Sequence, residues 1–249
     1  IKYRQRKYPE AAKLLTSVIE QDGSQFAALH LRSACYEAER QFGRAIRDLD
    51  RCIELKPALA RLYQRRGELH FRNGDVKESI RDFDHFLGEH PDQDPHHWQR
   101  GISYYYAGRY AEGMAQFERH RAVNPQDVEN SVWHFLCKSR VDGVEQARQS
   151  LIEIERDPRP WALSVYRLFQ KKMTPEQVIQ QAERTTPESR RDDSLFYAHL
   201  YVGLYYESLK QSDKSLQHIK EAVAKYPAPH YMGDVARVHL KLRQAADME

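Results

Sequence analysis

Along the chain, apolar residues recur every three or four positions, the spacing that lays one stripe along the face of an α-helix. Ala11, Leu15 and Val18 trace such a stripe near the start. Val132, Phe135 and Leu136 trace another, followed by Ala147, Leu151 and Ile154, and 233–246 reads as an amphipathic helix. Turn residues separate the stripes at 40–43, Asn73-Gly74 and 107–109. Asp157-Pro158-Arg159-Pro160 is a stop, and Thr174-Pro175-Glu176 is a helix start with Thr at the N-cap and Pro at the first helical position. The pattern predicts an all-α chain of at least ten helices in antiparallel pairs, with no sheet.

A longer period is superimposed on the first. Gly101, Tyr104, Phe117 and Pro125 are matched 34 residues earlier by Gly67, His70, Phe83 and Pro91, and one step earlier again by Ser33, Tyr36, Leu49 and Pro57. Ser79 and Phe86 have Ala45 and Cys52 as counterparts. Five repeat lengths after Pro57 comes Pro227, preceded by Gly203, Tyr206, Ser215 and Ala222 at the matching places. In a 34-residue frame beginning at Phe26, the small residue is position 8, the large ones are 11 and 24, and the proline is 32. A small residue at 8 lets two antiparallel helices cross closely, 11 and 24 fill the space beside it, and the proline ends the second helix. This signature resembles the tetratricopeptide repeat. The resemblance implies a right-handed superhelical solenoid of helical hairpins whose stacked pairs bury what no single pair could. Read as one domain over 1–249, the chain divides into a truncated repeat at 1–24, clear repeats at 26–59, 60–93 and 94–127, and a degenerate one at 128–160. A short hairpin at 161–188, a last repeat at 195–227 and a capping helix at 229–249 complete it.

Composition changes this picture little. The 249 residues are 41% hydrophobic and 30% charged, enough for a sizeable core in a thin solenoid with much surface. Lys and Arg number 39 against 36 Asp and Glu, so bulk charge does not select a nucleic acid or a membrane surface as partner. Cys35, Cys52 and Cys137 have neither the number nor the spacing of a disulfide framework or zinc module. No run approaches the length of a membrane span. The chain opens at Ile1 without a signal or transit peptide and reads as a trimmed fragment.

The motifs of zinc proteases, serine hydrolases, P-loops and dinucleotide folds are absent, so no enzyme and no cofactor are expected. Among twelve histidines the best metal pairs are His134 with Cys137 and His96 with His97, each without the third and fourth ligands a zinc site needs. Fifteen tyrosines suggest a stacking surface, but Tyr36, Tyr104 and Tyr206, like Phe117, hold packing positions. The groove-facing frame positions carry Arg61, Gln64, Glu68, Phe71 and Arg72 in one repeat. In the next they carry Pro95, Trp98, Ile102, Tyr105 and Tyr106. Arg, Trp and Tyr are the types that most often carry binding energy, so a partner site is expected at Arg61, Gln64, Glu68, Phe71, Arg72, Trp98, Ile102, Tyr105 and Tyr106. Trp98 could instead have slipped one place from position 4 and pack inside. Position 9 reads Ala34, Glu68 and Ile102, with no Asn, which disfavours a carboxylate-clamp receptor. The charged run at 189–193 reads as a solvated loop.

From His97 to about Arg243 the resemblance narrows. Arg100-Gly101-Ile102, Tyr105-Tyr106, Gly108-Arg109, Asn124-Pro125, Asp127, Trp133, Leu136, the short helix at 144–151, Thr174-Pro175-Glu176, Phe196 and the stretch from Tyr201 to Tyr206 resemble the NlpI-type bacterial lipoprotein family. That resemblance implies a periplasmic, membrane-anchored, non-enzymatic scaffold that brings cell-wall hydrolases and a protease together, with a homodimer as a further implication. No cysteine near the start could carry the lipid, so the compartment stays open between the envelope and the cytoplasm. The expected function is a protein–protein adaptor. The alternative is an accessory subunit of an enzyme assembly holding a small ligand or metal in its groove.

Overall fold

The computed structural model describes residues 7–226 and 228–246; Pro227, 1–6 and 247–249 lie outside the described residues, as does the closing proline of the last predicted repeat. Fourteen α-helices and two 3₁₀ turns, and no strand, occur among the described residues. The chain forms two compact units, Ile1–Asp92 and Gln93–Glu249.

The first unit contains α1 (Tyr8–Gln21), α2 (Phe26–Ala38), α3 (Phe42–Leu55), α4 (Ala60–Asn73) and α5 (Val76–Glu89), each packed on the next. Its core gathers Leu29, Ile46, Leu49, Leu62 and Leu69. A 3₁₀ turn at Pro91–His96 precedes α6 (Trp98–Tyr106), α7 (Tyr110–Arg121), α8 (Val128–Val141), α9 (Val144–Gln149) and α10 (Ala162–Phe169). The second unit continues with α11 (Pro175–Glu183), α12 (Arg191–Ser208), α13 (Ser212–Lys225) and α14 (Tyr231–Ala246).

The close crossing expected at frame position 8 is present in both units. A Cβ built on Gly67 would stand 2.8 Å from the Phe83 ring, one on Gly101 2.7 Å from the Phe117 ring, and one on Gly203 2.7 Å from Ile219, the residue at position 24 each time. Real Cβ atoms do not approach so closely, so Gly101→Leu should cost about 1–3 kcal/mol by overpacking. The exposed Glu112→Ala should melt close to the parent chain, and equal melting temperatures for the two variants would refute the crossing. Inside four of the hairpins frame position 15 is left-handed: Arg40 has φ 56°, Gly74 93°, Gly108 75° and Lys210 59°, whereas in the degenerate repeat Asp142 is right-handed and Gly143 takes φ 89° one place later. This conformation ends the first helix, and two of the four hairpins adopt it without glycine.

A second ladder runs at the same spacing. At frame position 7, Arg32 donates to both carboxylate oxygens of Asp48 (2.8 and 2.7 Å), and Arg66 does the same to Asp82 at 2.8 and 2.7 Å. Each arginine also reaches back to the preceding hairpin, Arg32 to the Thr16 hydroxyl at 2.9 Å and Arg66 to Asp50 at 2.8 Å. In the second unit Arg100 holds the Gln116 amide oxygen (3.0 Å from Nε) and Asp94 instead. These side chains tie a hairpin together and link it to its neighbour, which apolar burial alone does only loosely.

The second unit departs from the expected helices in two places. The partner of α8 is only six residues long, and Leu151 and Ile154 lie beyond it. There Ile152 and Ile154 are buried and Glu153 and Glu155 exposed, the alternation of an extended segment. Ser131 and Tyr166 donate to the Ile152 carbonyl (2.8 and 3.1 Å), and the Tyr166 hydroxyl accepts from the Ile154 amide at 3.2 Å. These side chains supply the hydrogen bonds a longer helix would have made internally. The run at 189–193 is likewise not all loop, for α12 starts at Arg191, with Asp192 and Asp193 in a first turn whose dipole favours them. Thr174 forms the expected cap of α11, reciprocated by Gln177 as a capping box.

Candidate functional site

In the first unit the predicted site residues sit on α4, facing α2. Arg61 is exposed, and Gln64 donates to Glu68 at 3.0 Å. Arg72 and Arg65 both pair with Glu37 of α2, and Arg72 also lies over the Phe42 ring, 5.2 Å from its centroid. Phe71 is fully buried, so the expectation that it faces the groove is corrected: at frame position 12 this side chain points into the core. What remains is a polar surface of Glu37, Arg61, Gln64, Arg65, Glu68 and Arg72. Arg65 and Glu37 were not anticipated, although Arg65 follows the predicted Gln64 directly.

The second unit treats the corresponding positions differently. Ile102 and Tyr105 are each 1% exposed and Tyr106 7%. The expectation that they line an open groove is therefore corrected. Their cover comes from far along the sequence. Trp98 meets Tyr231 edge-on with ring centroids 5.2 Å apart, and eight residues further along each helix Tyr106 meets His239 at 5.9 Å. Helix α14 therefore not only packs on α13, as a terminal cap should, but also meets α6 through these two ring pairs, which follow in the same order along both helices. The Tyr105 hydroxyl donates to Glu207 of α12 at 2.6 Å, and that of Tyr106 lies 3.1 Å from His239 Nδ1. Burial and the Glu207 charge push both phenols well above their ordinary value. Trp98 is half-buried at the mouth of the cavity described next, so neither of its two expected placements describes it fully.

That cavity, of about 360 Å³, is lined by Trp98, Ile102, Trp133, Tyr197, His230 and Tyr231 among others, with Asp127 and Glu129 at its polar side. Arg159 gathers Asp127, Glu129 and Asp157 and lies over the Trp161 ring at 4.8 Å, while Trp161 stacks on Tyr197 at 4.1 Å. Burial raises the Glu129 carboxyl despite its bonds from Arg159 and Tyr201. Asp157 stays below its ordinary value because, against burial, Arg159 and the Val128 amide bond to it. On the other side of α12, Glu207 accepts from Arg243 at 2.5 Å and faces Arg140 at 3.2 Å. Against burial, Arg243, the Tyr105 hydroxyl and Arg140 hold its carboxyl low.

The histidines considered for metal binding are placed otherwise. His97 caps α6 by accepting the Arg100 amide at Nδ1, and His134 meets Glu118 at 2.9 Å. No three His, Cys, Asp or Glu side chains gather as a metal site among the described residues. No described helix is long and apolar enough to cross a membrane.

Residues 31–98 match the tetratricopeptide repeat family. Among solved structures, a tetratricopeptide repeat protein of Parabacteroides merdae is 14% identical, covering 98% of this chain and 94% of its own with a TM-score of 0.62. The C-terminal part of a repeat-containing protein of Cytophaga hutchinsonii is also 14% identical, with 94% and 96% covered and a TM-score of 0.55. MamA matches at 14% identity, 74% and 93% coverage and a TM-score of 0.54. At such identities the likeness concerns the fold. With the position-8 crossings and position-15 turns observed in both units, it establishes that the chain has the tetratricopeptide-repeat fold, with repeats of that family recognisable in sequence over residues 31–98.

Proposed function

We propose that this protein is a non-enzymatic adaptor that binds a partner protein or peptide on the first-helix face of its first unit. The observation that carries the reading is the contrast between corresponding helix faces. On α6 the chain's own aromatic and charged groups cover that face, whereas on α4 it is polar, with Arg61 and Arg65 exposed, and α2 adds Glu37. The proteins that share this fold include repeat proteins of the same architecture, and stacked first helices are the usual binding surface of solenoids. Exposed arginines beside a half-buried Gln64 and Glu68 suit a partner segment that carries carboxylates.

Arg61→Glu with Arg65→Glu tests this. The double variant should keep its melting temperature within a few degrees yet retain at least about tenfold less of whichever partner the parent chain captures, roughly 1.4 kcal/mol. Undiminished capture by a folded variant would remove the first unit from the site.

A finer reading follows the resemblance of 97–243 to NlpI-type lipoproteins: an envelope adaptor that brings a cell-wall hydrolase and a protease together, acting as a homodimer. Several of the residues that carry the resemblance, Trp133, Phe196 and Tyr201 among them, are core residues, and these support shared architecture more than a shared surface. Light scattering for the dimer and direct binding to a purified hydrolase would decide it.

A further inference from the structure

A cleft of about 300 Å³ in the second unit, distinct from the aromatic cavity, contains Arg140, Glu207, Lys210, Ser215, His239 and Arg243. Three polar atoms among them are buried without a hydrogen-bond partner: Arg140 Nε, the Ser215 hydroxyl and His239 Nε2. Ser215 is 2% exposed and His239 fully buried, so no bulk water replaces the missing bonds. A buried polar atom left unmatched is unfavourable, and three on residues that line one cleft call for a common partner there.

Charge points the same way. Glu207 is the cleft's one carboxylate, and its oxygens are already occupied by Tyr105, Arg243 and Arg140. Two guanidinium groups share it, and Lys210 adds a third cation at the exposed edge. The cleft is thus short of two negative charges. The first turn of α13 also borders it, and its N-cap Gln211 makes no side-chain bond to the turn's amides. Burial keeps His239 neutral. In the tautomer whose Nδ1 accepts from the Tyr106 hydroxyl 3.1 Å away, the ring proton lies on Nε2 and is available as a donor.

We infer that this cleft binds a tetrahedral oxyanion, phosphate or a phosphomonoester, held by Arg140, Ser215, His239 and Lys210. Convergence of donors from several directions and a local excess of two positive charges suit a phosphate dianion better than a planar carboxylate. Glu207 fits this assignment because it is already neutralised and serves to orient the two arginines. The inference extends beyond partner binding by the first unit and stands if that reading fails.

The test is titration of the full chain with inorganic phosphate, O-phosphoserine and acetate in turn, followed by calorimetry and by the ring resonances of ¹⁵N-labelled histidine. Phosphate and phosphoserine should bind saturably and shift the His239 ring, with acetate at least about tenfold weaker. Tighter binding of phosphoserine than of phosphate would identify a phosphomonoester as the ligand, and parity would identify free phosphate. Arg140→Gln leaves Glu207 with Arg243, so it should fold and weaken phosphate at least about tenfold. Ser215→Ala, at frame position 20 where the first full repeat has Ala45, provides a second variant certain to fit and should weaken it several-fold. Acetate binding as well as phosphate, absence of a saturable shift at His239, or full affinity in folded Ser215→Ala would overturn the assignment.

Discussion

Acidification from pH 7 to 5 is expected to remove about 5 kcal/mol from the stability of the second unit. His97, His199 and His239 are each buried and held at a pKa of about 4, against 6.5 when solvated. Burial is the leading cause for all three. Arg100 adds to it at His97 and the adjacent His218 at His199, whereas Glu207 partly opposes it at His239. Their geometry agrees: His97 accepts an amide at Nδ1, His199 Nδ1 faces His218 Nδ1 at 3.1 Å, and His239 Nδ1 faces a phenol. A folded pKa below the unfolded one means that the unfolded chain takes up protons first. The stabilisation is therefore complete above pH 6.5 and is lost as pH falls towards 4. Each site is worth about 3 kcal/mol over that window, and three titrating together give a slope near ~4 kcal/mol per pH unit at its centre. Glu129, whose pKa is raised, acts in the opposite direction but is one group against three. Between pH 7 and 5 the three sites together give up about 5 kcal/mol, a large share of a net domain stability on the order of 5–15 kcal/mol, so the denaturant midpoint of the unit should fall steeply over this range. All three tryptophans belong to it, and their fluorescence would report the transition directly. His97→Asn keeps a capping acceptor while removing one proton site, so the slope should fall by about a third. A denaturation midpoint unchanged between pH 7 and 5 would contradict the placement of these rings.

Arg66→Met should be the most damaging single change in the first unit, at about 3–5 kcal/mol. It strips the bidentate partner from Asp82, which is 5% exposed, and leaves the carboxylate facing His70 Nε2 at 3.9 Å. The double variant Arg66→Met with Asp82→Val removes both charges and should recover most of the loss, because an apolar pair of similar volume avoids burying a lone carboxylate. By contrast Arg51→Met, which breaks an exposed pair with Glu54, should change stability by less than ~0.5 kcal/mol. Urea melts of the four chains measure all of this, and a double variant no more stable than Arg66→Met would show that packing, not the lone charge, sets the effect.

Much of this molecule could be read from spacing. Gly67 against Phe83, Gly101 against Phe117 and Gly203 against Ile219 all sit where the 34-residue frame puts them, because that contact depends only on one hairpin's own residues. The arginine ladder left a signal too, with Arg32, Arg66 and Arg100 one repeat apart and Asp48 and Asp82 likewise, but a frame built from apolar sites does not look for it. The extended segment at Ile152 and Ile154 was misread because two apolar residues fit a period of two as well as a helical one. The burial of Tyr105 and Tyr106 had no local signal at all. Their hydroxyls meet residues 102 and 133 positions away, and the amphipathic pattern of α14 specifies that it has an apolar face without specifying what that face covers.

Helix α14, docked beside α6, also sets how the two units acquire their structure. In the first unit every helix packs mainly on its sequence neighbour, so each contact closes a short loop and the stack can grow or fray hairpin by hairpin. In the second unit the bond between Tyr106 and His239 spans 133 residues, so although α6 packs on α7 and α14 on α13, the contact between α6 and α14 forms only when the whole intervening chain is in place. Closing a loop of that length spends entropy before any contact compensates it, which slows folding and makes the transition all-or-none. During synthesis from the N-terminus, the first unit can therefore settle as it emerges, whereas in the second the Trp98 and Tyr106 rings wait for Tyr231 and His239 of α14, and over that interval the nascent chain is most exposed to aggregation.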